Sequence, residues 1–176
     1  MDTSKNYFEV FGLPRSFAID LDALAHRYRE LQREVHPDRY ASAGDREQRL
    51  AVEYASFVNE AFEALQSPLA RAVYLLRLVG VERDSESATT TDTAFLMQQM
   101  ELREELSQVR EQKDPEAALD RLSVHVDNCL QQLQVEFGRD YERGDYSRAQ
   151  VVVDKMHFIF KLALEVEQLE VELLDY

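Results

Sequence analysis

An all-α fold is expected from three observations. Apolar residues recur every third or fourth position through most of the chain, no stretch alternates polar and apolar, and helix caps, prolines and glycines punctuate the periodic segments. Asn6 to Phe11 crowds Tyr7, Phe8, Val10 and Phe11 together before Gly12 and Pro14, so it reads as a turn or two of helix used as an apolar wedge. Asp20 is placed to cap a helix carrying Leu21, Leu24, Ala25, Tyr28, Leu31 and Val35 on one face. A small polar loop, Ala41 to Gly44, precedes a second stripe, Leu50, Tyr54, Phe57, Val58, Ala61, Phe62 and Leu65, closed by Ser67 and Pro68. Two such helices on a short connection are expected to lie antiparallel, with the wedge across them. Another helix, with Leu69, Val73, Leu76 and Val79 in phase, ends at Gly80.

The only shift in composition, Glu82 to Thr91, marks a linker, dividing the chain into 1–79, a connection 80–91, and 92–176. Three further helices follow. The first runs from about Thr93 to Gln112. The second has Asp114 as cap and Pro115 in its first turn, carries Leu119, Leu122, Val126, Cys129 or Leu130, Leu133 and Phe137, and is expected to stop at Gly138. The third starts after Gly144 and carries Val152, Met156, Ile159, Ala163, Val166 and Leu173. Their short connections predict an antiparallel three-helix bundle.

Acidic residues outnumber basic ones 34 to 20, a formal net charge of −14, which disfavours nucleic acid and anionic membrane as partners. The single cysteine, Cys129, allows neither an intrachain disulfide nor a cysteine-rich zinc site, as in a reduced intracellular protein. The N-terminus has no apolar signal core and is not an arginine-rich transit segment, and no apolar run is long enough for a membrane helix. Phosphate loops and dinucleotide fingerprints are absent. His26, His125 and His157 are far apart in sequence, and no nucleophile accompanies His36 and Asp38, so neither an enzyme nor a resident cofactor or metal is expected.

Two features exceed what a core requires. The first is His36–Pro37–Asp38: proline disfavours α geometry at His36, so the helix from Leu21 should end there and expose an imidazole and a carboxylate. Turn, metal site and docking tip are all compatible with it. The helix leading in carries His26, Arg27, Arg29 and Arg33 against one acid, Glu30, either a positive docking face or a solvated one. The second is helical phase near Thr93. At about 100° per residue, Phe95, Leu102, Leu106 and Val109 form the core face, while Leu96, Met97 and Met100 project to the far side beside Glu101 and Glu104. Phe158 is similarly out of phase on the last helix. These residues either cover a neighbouring element or form an interaction patch with an aromatic anchor.

The helix, His36–Pro37–Asp38, helix pattern resembles the J-domain, which stimulates ATP hydrolysis by DnaK-class chaperones. Tyr7, Phe8, Phe11, Gly12, Leu13 and Pro14, with Asp92 to Met97 (DTAFLM) and Glu101 to Leu106 (ELREEL), narrow the resemblance to the HscB, or Hsc20-type, co-chaperones, over essentially the whole chain. The resemblance implies an N-terminal J-domain, a helical hairpin with an exposed HPD loop, followed by a C-terminal bundle that binds the iron–sulfur scaffold IscU. It further implies delivery of IscU to the chaperone HscA and stimulation of HscA's ATPase. Arg27, Arg29 and Arg33 with His36, Pro37 and Asp38 would then contact the chaperone, and Leu96, Met97, Met100, Glu101, Glu104 and Phe158 the scaffold. Met100 stands where the family has leucine, a volume-conserving change. Thr91 stands where the family has a basic residue. A J-domain holdase for other clients is the alternative. The lack of an extra cysteine-containing N-terminal module suggests a bacterial-type, cytoplasmic protein.

Overall fold

The computed structural model describes residues 2–40, 43–81 and 92–174, the side chains of Pro37, Asp38 and Leu174 excepted. Every element among them is helical. The chain divides into two compact units, Met1–Val79 and Gly80–Tyr176. Most of the expected linker, Thr91 included, lies outside the described residues, as do Ala41 and Ser42 of the polar loop.

The first unit opens with α1 (Tyr7–Phe11), a helix short enough to depend on its ends. Asn6 accepts from the Glu9 backbone N–H while the Glu9 carboxylate accepts from the Asn6 N–H, and Gly12 closes the helix at φ 67. Next, α2 (Leu21–Glu34) is capped by Asp20, which accepts from the Ala23 N–H at 2.9 Å. It ends just short of His36, as the following proline requires. Pro37 then starts a further turn, α3 (Pro37–Tyr40), where a loop is expected from sequence. Proline's fixed φ and missing N–H suit a first helical position as well as they break a helix interior. α4 (Asp45–Gln66) and α5 (Pro68–Leu78) share Ser67, which ends one and caps the other.

α2 and α4 are antiparallel: Tyr28 stacks on Phe62 with ring centroids 4.0 Å apart, while Gln32, further along α2, reaches back to Asn59. α1 crosses them. Its Tyr7 ring stacks on Tyr74 at 4.2 Å, its Tyr7 N–H donates to the Tyr74 hydroxyl, and its Phe11 meets Phe62 edge-on. Phe8, Leu24, Val58, Ala61, Leu65, Ala72, Leu75 and Leu76 fill the centre at 1% exposure or less. Each large side chain so buried is worth about 1.5–3 kcal/mol. Buried Arg71 donates to the Leu65 carbonyl at 2.6 Å and lies over the Phe17 ring, tying the end of α4 to the segment before α2.

Several stripe residues differ from expectation. Leu21, Leu50 and Val73 are exposed. α4 buries Ala51 rather than Leu50, because over 22 residues a strict four-residue step drifts off the 3.6-residue period. α5 buries Arg71, Ala72, Tyr74, Leu75 and Leu76, so Val73 is left on its outward strip.

The second unit is an up-down-up bundle of α6 (Thr93–Gln108), α7 (Pro115–Glu142) and α8 (Tyr146–Leu174). A 3₁₀ turn, Val109–Glu111, ends α6 earlier than expected. α7 runs through Gly138 to Glu142 and turns at Gly144, φ 75. The cost of a mid-helix glycine, about 1 kcal/mol, is offset by the full burial of the neighbouring Phe137. Leu119, Leu122, Val126, Cys129, Leu133 and Phe137 meet Val152, Met156, Ile159, Leu162 and Val166 in the core. Leu162 takes the place expected for Ala163, which is half-buried. Gln98 pairs with Cys129 and Glu105 with His125, so position falls along α7 as it rises along α6. α6 and α8 run parallel, held by Asp92–Lys155, Arg103–Glu165 and Arg110–Glu172.

Candidate functional site

Two exposed surfaces emerge, one in each unit. In the first, the α2–α4 seam fixes which side of α2 faces out. The Tyr28 hydroxyl donates to Asn59 Oδ1 at 3.1 Å, and Gln32 Nε2 donates to both groups. With that side pinned, His26, Arg29 and Arg33, spaced i, i+3 and i+7, share an outward stripe and are exposed. Arg27 is off it, about 100° round the helix from His26. Its guanidinium holds Glu30 at 2.9 Å, a hydrogen bond that raises the Arg27 pKa and lowers that of Glu30. The structure therefore brings Arg29 and Arg33 together and sets Arg27 apart, its charge locally compensated.

Val35, 5% exposed, anchors the end of α2, and the next residue, His36, is exposed. The Arg39 N–H donates to the His36 carbonyl at 3.0 Å, and the Arg39 guanidinium reaches back to the Arg33 carbonyl. Arg39 thus adds a cation at the C-terminal end of α2, where the helix dipole favours one. Sequence reasoning left it out of the site, because the turn that folds it back was expected to be loop.

The second surface is the outer face of α6. Leu96, Met97 and Met100 are 41%, 59% and 72% exposed, as their phase predicts. Two adjacent stripes form it: Leu96, Met100 and Arg103, then Met97, Glu101 and Glu104, each spaced i, i+4, i+7. Arg103 lies over the Phe158 ring at 5.1 Å, and Phe158 meets Phe95 edge-on at 6.3 Å. Phe158, half-buried, therefore borders the first stripe, with Arg103 as the contact between them. The Glu104 carboxylate accepts from Gln108. Arg103 is the residue that sequence analysis missed here, although its phase relative to Leu96 was available.

No group of three His, Cys, Asp or Glu side chains that could hold a metal occurs among the described residues. Burial raises the pKa of the Cys129 thiol, the opposite of what a reactive thiolate needs. Among the described residues, no helix is long and apolar enough to cross a membrane. An all-helical chain of two units, one exposing a cation-rich helix end and the other a methionine-rich apolar face, is the class of protein that the fold defines.

Comparison with known proteins gives that class a family. Residues 91–167 match the family model described as the HSCB C-terminal oligomerisation domain. A co-chaperone protein HscB homolog from Aeromonas hydrophila is 42% identical over 170 residues, covering 97% of this chain and 99% of that protein. One from Vibrio cholerae is 41% identical over 169 residues, 96% of this chain and 99% of that protein. The fold is similar to chaperone HscB from Vibrio cholerae (TM-score 0.86, 40% identity, 96% of this chain and 99% of that one). It is also similar to human co-chaperone protein HscB (TM-score 0.88, 28% identity, 98% and 85%). The chain belongs to the HscB co-chaperone family.

Proposed function

We propose that this co-chaperone binds the iron–sulfur scaffold IscU, delivers it to the DnaK-class chaperone HscA and stimulates HscA's ATPase, promoting cluster transfer to recipient proteins in the cytoplasm. The J-domain is residues 1–79 and the scaffold-binding bundle 92–176. Arg29 and Arg33 dock on an acidic face of HscA, with a smaller contribution from Arg27, while His36, Pro37 and Asp38 engage the chaperone at the turn. Binding of this kind changes a hydrolysis rate only by favouring the chaperone conformation in which hydrolysis is faster. Leu96, Met97, Met100 and Phe158 form the apolar contact with IscU, and Glu101 and Glu104 meet basic residues at its edge.

The observation that carries this reading is the exposure of Leu96, Met97 and Met100 on one helix face bordered by a half-buried phenylalanine. A fold has no use for such a face, and adaptable methionines suit a partner surface. The same face would serve a general holdase, and one experiment separates the two. Folded IscU and a reduced, unfolded client are titrated into the protein by calorimetry, and HscA ATPase is followed with each. Saturable binding of IscU, with synergistic ATPase stimulation that the unfolded client does not reproduce, is expected. Equal binding of both would replace this reading with the holdase.

A further inference from the structure

The outer face of α6 descends on one side into a groove between α6 and α7, with a volume of about 600 Å³. Ala94, Met97, Gln98 and Glu101 line it from α6, and Cys129, Gln132, Leu133 and Glu136 from α7. Each set is spaced i, i+3, i+4, i+7, so two complete helical stripes face one another across it. Phe95, Cys129, Leu133 and Ile159, all buried, give it an apolar floor.

Its polar groups are ordered along its length. Because α6 and α7 are antiparallel, Glu101 lies toward the Cys129 end and Glu136 toward the Asp92 end. At that second end Lys155 is taken up by Asp92 at 2.6 Å, a pairing that lowers the Asp92 pKa, so the groove's one cation is neutralised within it. Glu136 is only loosely paired, 3.8 Å from Arg139, whose closer partner is Asp140 at 2.9 Å. Glu101 and Glu136 therefore leave negative charge at both ends of an apolar trough.

Met97 and Glu101 belong to the groove and to the outer face at once, so whatever covers that face also overhangs the groove. We propose that the groove receives a second segment of the same scaffold partner: an extended stretch placing an apolar side chain on the Phe95–Leu133 floor between two basic residues, which pair with Glu101 and Glu136. From Asp92, at the Glu136 end, to Glu101 is nine helical positions, about 13 Å, which is about four residues of extended chain with every second side chain facing the groove. The occupant is thus a basic–x–apolar–x–basic pattern. The proposal rests on the reading of α6 as the scaffold surface and extends it to α7.

The test compares groove-only variants, Glu136→Lys and Ala94→Trp, with face-only variants, Leu96→Ala and Phe158→Ala. Purified IscU is the probe in calorimetric titrations at two salt concentrations. Glu136 and Ala94 are not core residues, and thermal unfolding of each variant checks that the bundle is intact. Reversing one charge of a complementary pair and filling the groove are each expected to weaken IscU binding by about ten-fold. The Glu136→Lys loss should shrink at high salt, and the Ala94→Trp loss should not. Wild-type affinity in both groove variants, with affinity lost in the face variants, overturns the groove proposal and leaves the proposed function standing. Wild-type affinity in the face variants instead overturns the scaffold reading itself.

Discussion

The two exposed surfaces are made of opposite materials. The first unit offers charge: Arg29, Arg33 and Arg39 at the end of α2, with His36 beside them and the seam to α4 holding them outward. The second offers apolar area: Leu96, Met97, Met100 and Phe158, with its carboxylates at the edge. Charged contacts govern rate of encounter and are screened by salt, whereas desolvated apolar contacts govern residence time and are not. The first surface therefore suits a contact that forms and breaks quickly, and the second one that is held for longer.

The sharpest break between them is the simultaneous replacement of Leu96, Met97 and Phe158 by alanine. Hot-spot side chains cost about 2 kcal/mol or more each, so affinity for IscU should fall by more than about 100-fold in calorimetry. Basal HscA stimulation by the same variant should be unchanged. His36→Gln is expected to give the converse, loss of ATPase stimulation at unchanged IscU affinity. If either substitution lowers both readouts, the division of labour is wrong.

Smaller effects sharpen the comparison. Arg29→Ala and Arg33→Ala should each weaken HscA stimulation by several-fold at low salt and less at high salt. Arg27→Ala should change it by less than about two-fold, because its charge is already spent on Glu30 and exposed pairs contribute little. An Arg27 effect equal to that of Arg29 would mean that α2 docks through a broader face.

Smallest is a stability effect confined to the second unit. The Lys155 ammonium and the Phe95 N–H at the α6 N-terminus hold the Asp92 carboxyl below its ordinary value. A carboxylate depressed on folding contributes stability in full above its unfolded pKa, about 3.9, and loses it as pH falls through the folded value. Asp92→Asn should therefore lower Tm at neutral pH, with the difference from wild type disappearing in acid. A Tm difference that persists below the folded pKa would assign the effect to the cap and not to the charge.

The helices and both surfaces were legible to different degrees, for physical reasons. Caps are local chemistry, so Asp20 and the Asp114–Pro115 start could be read directly. Helical phase needs only a period, and it alone placed Leu96, Met97 and Met100 outside. Illegible were features that depend on what two segments do to each other. Pro37 reads equally as a break or a beginning, and only the chain beyond it decides for α3. Buried Arg71 looks like a surface residue until the Leu65 carbonyl and Phe17 ring are brought to it. Arg27 looks like its neighbours until Glu30 claims it. The groove was invisible for the same reason, since neither of its stripes is unusual alone.

The three ion pairs between α6 and α8 act as a lock on alignment. Along α6 the signs read minus, plus, plus at Asp92, Arg103 and Arg110; along α8 they read plus, minus, minus at Lys155, Glu165 and Glu172. The two exposed pairs, Arg103–Glu165 and Arg110–Glu172, are individually weak. Sliding one helix along the other by a turn, about 5.4 Å, would break all three together. A larger slide that brought Arg103 level with Lys155 would set like charges face to face. The pattern thus fixes where along α6 the ring of Phe158 arrives, so the spacing of the exposed apolar face is set by charges at its border.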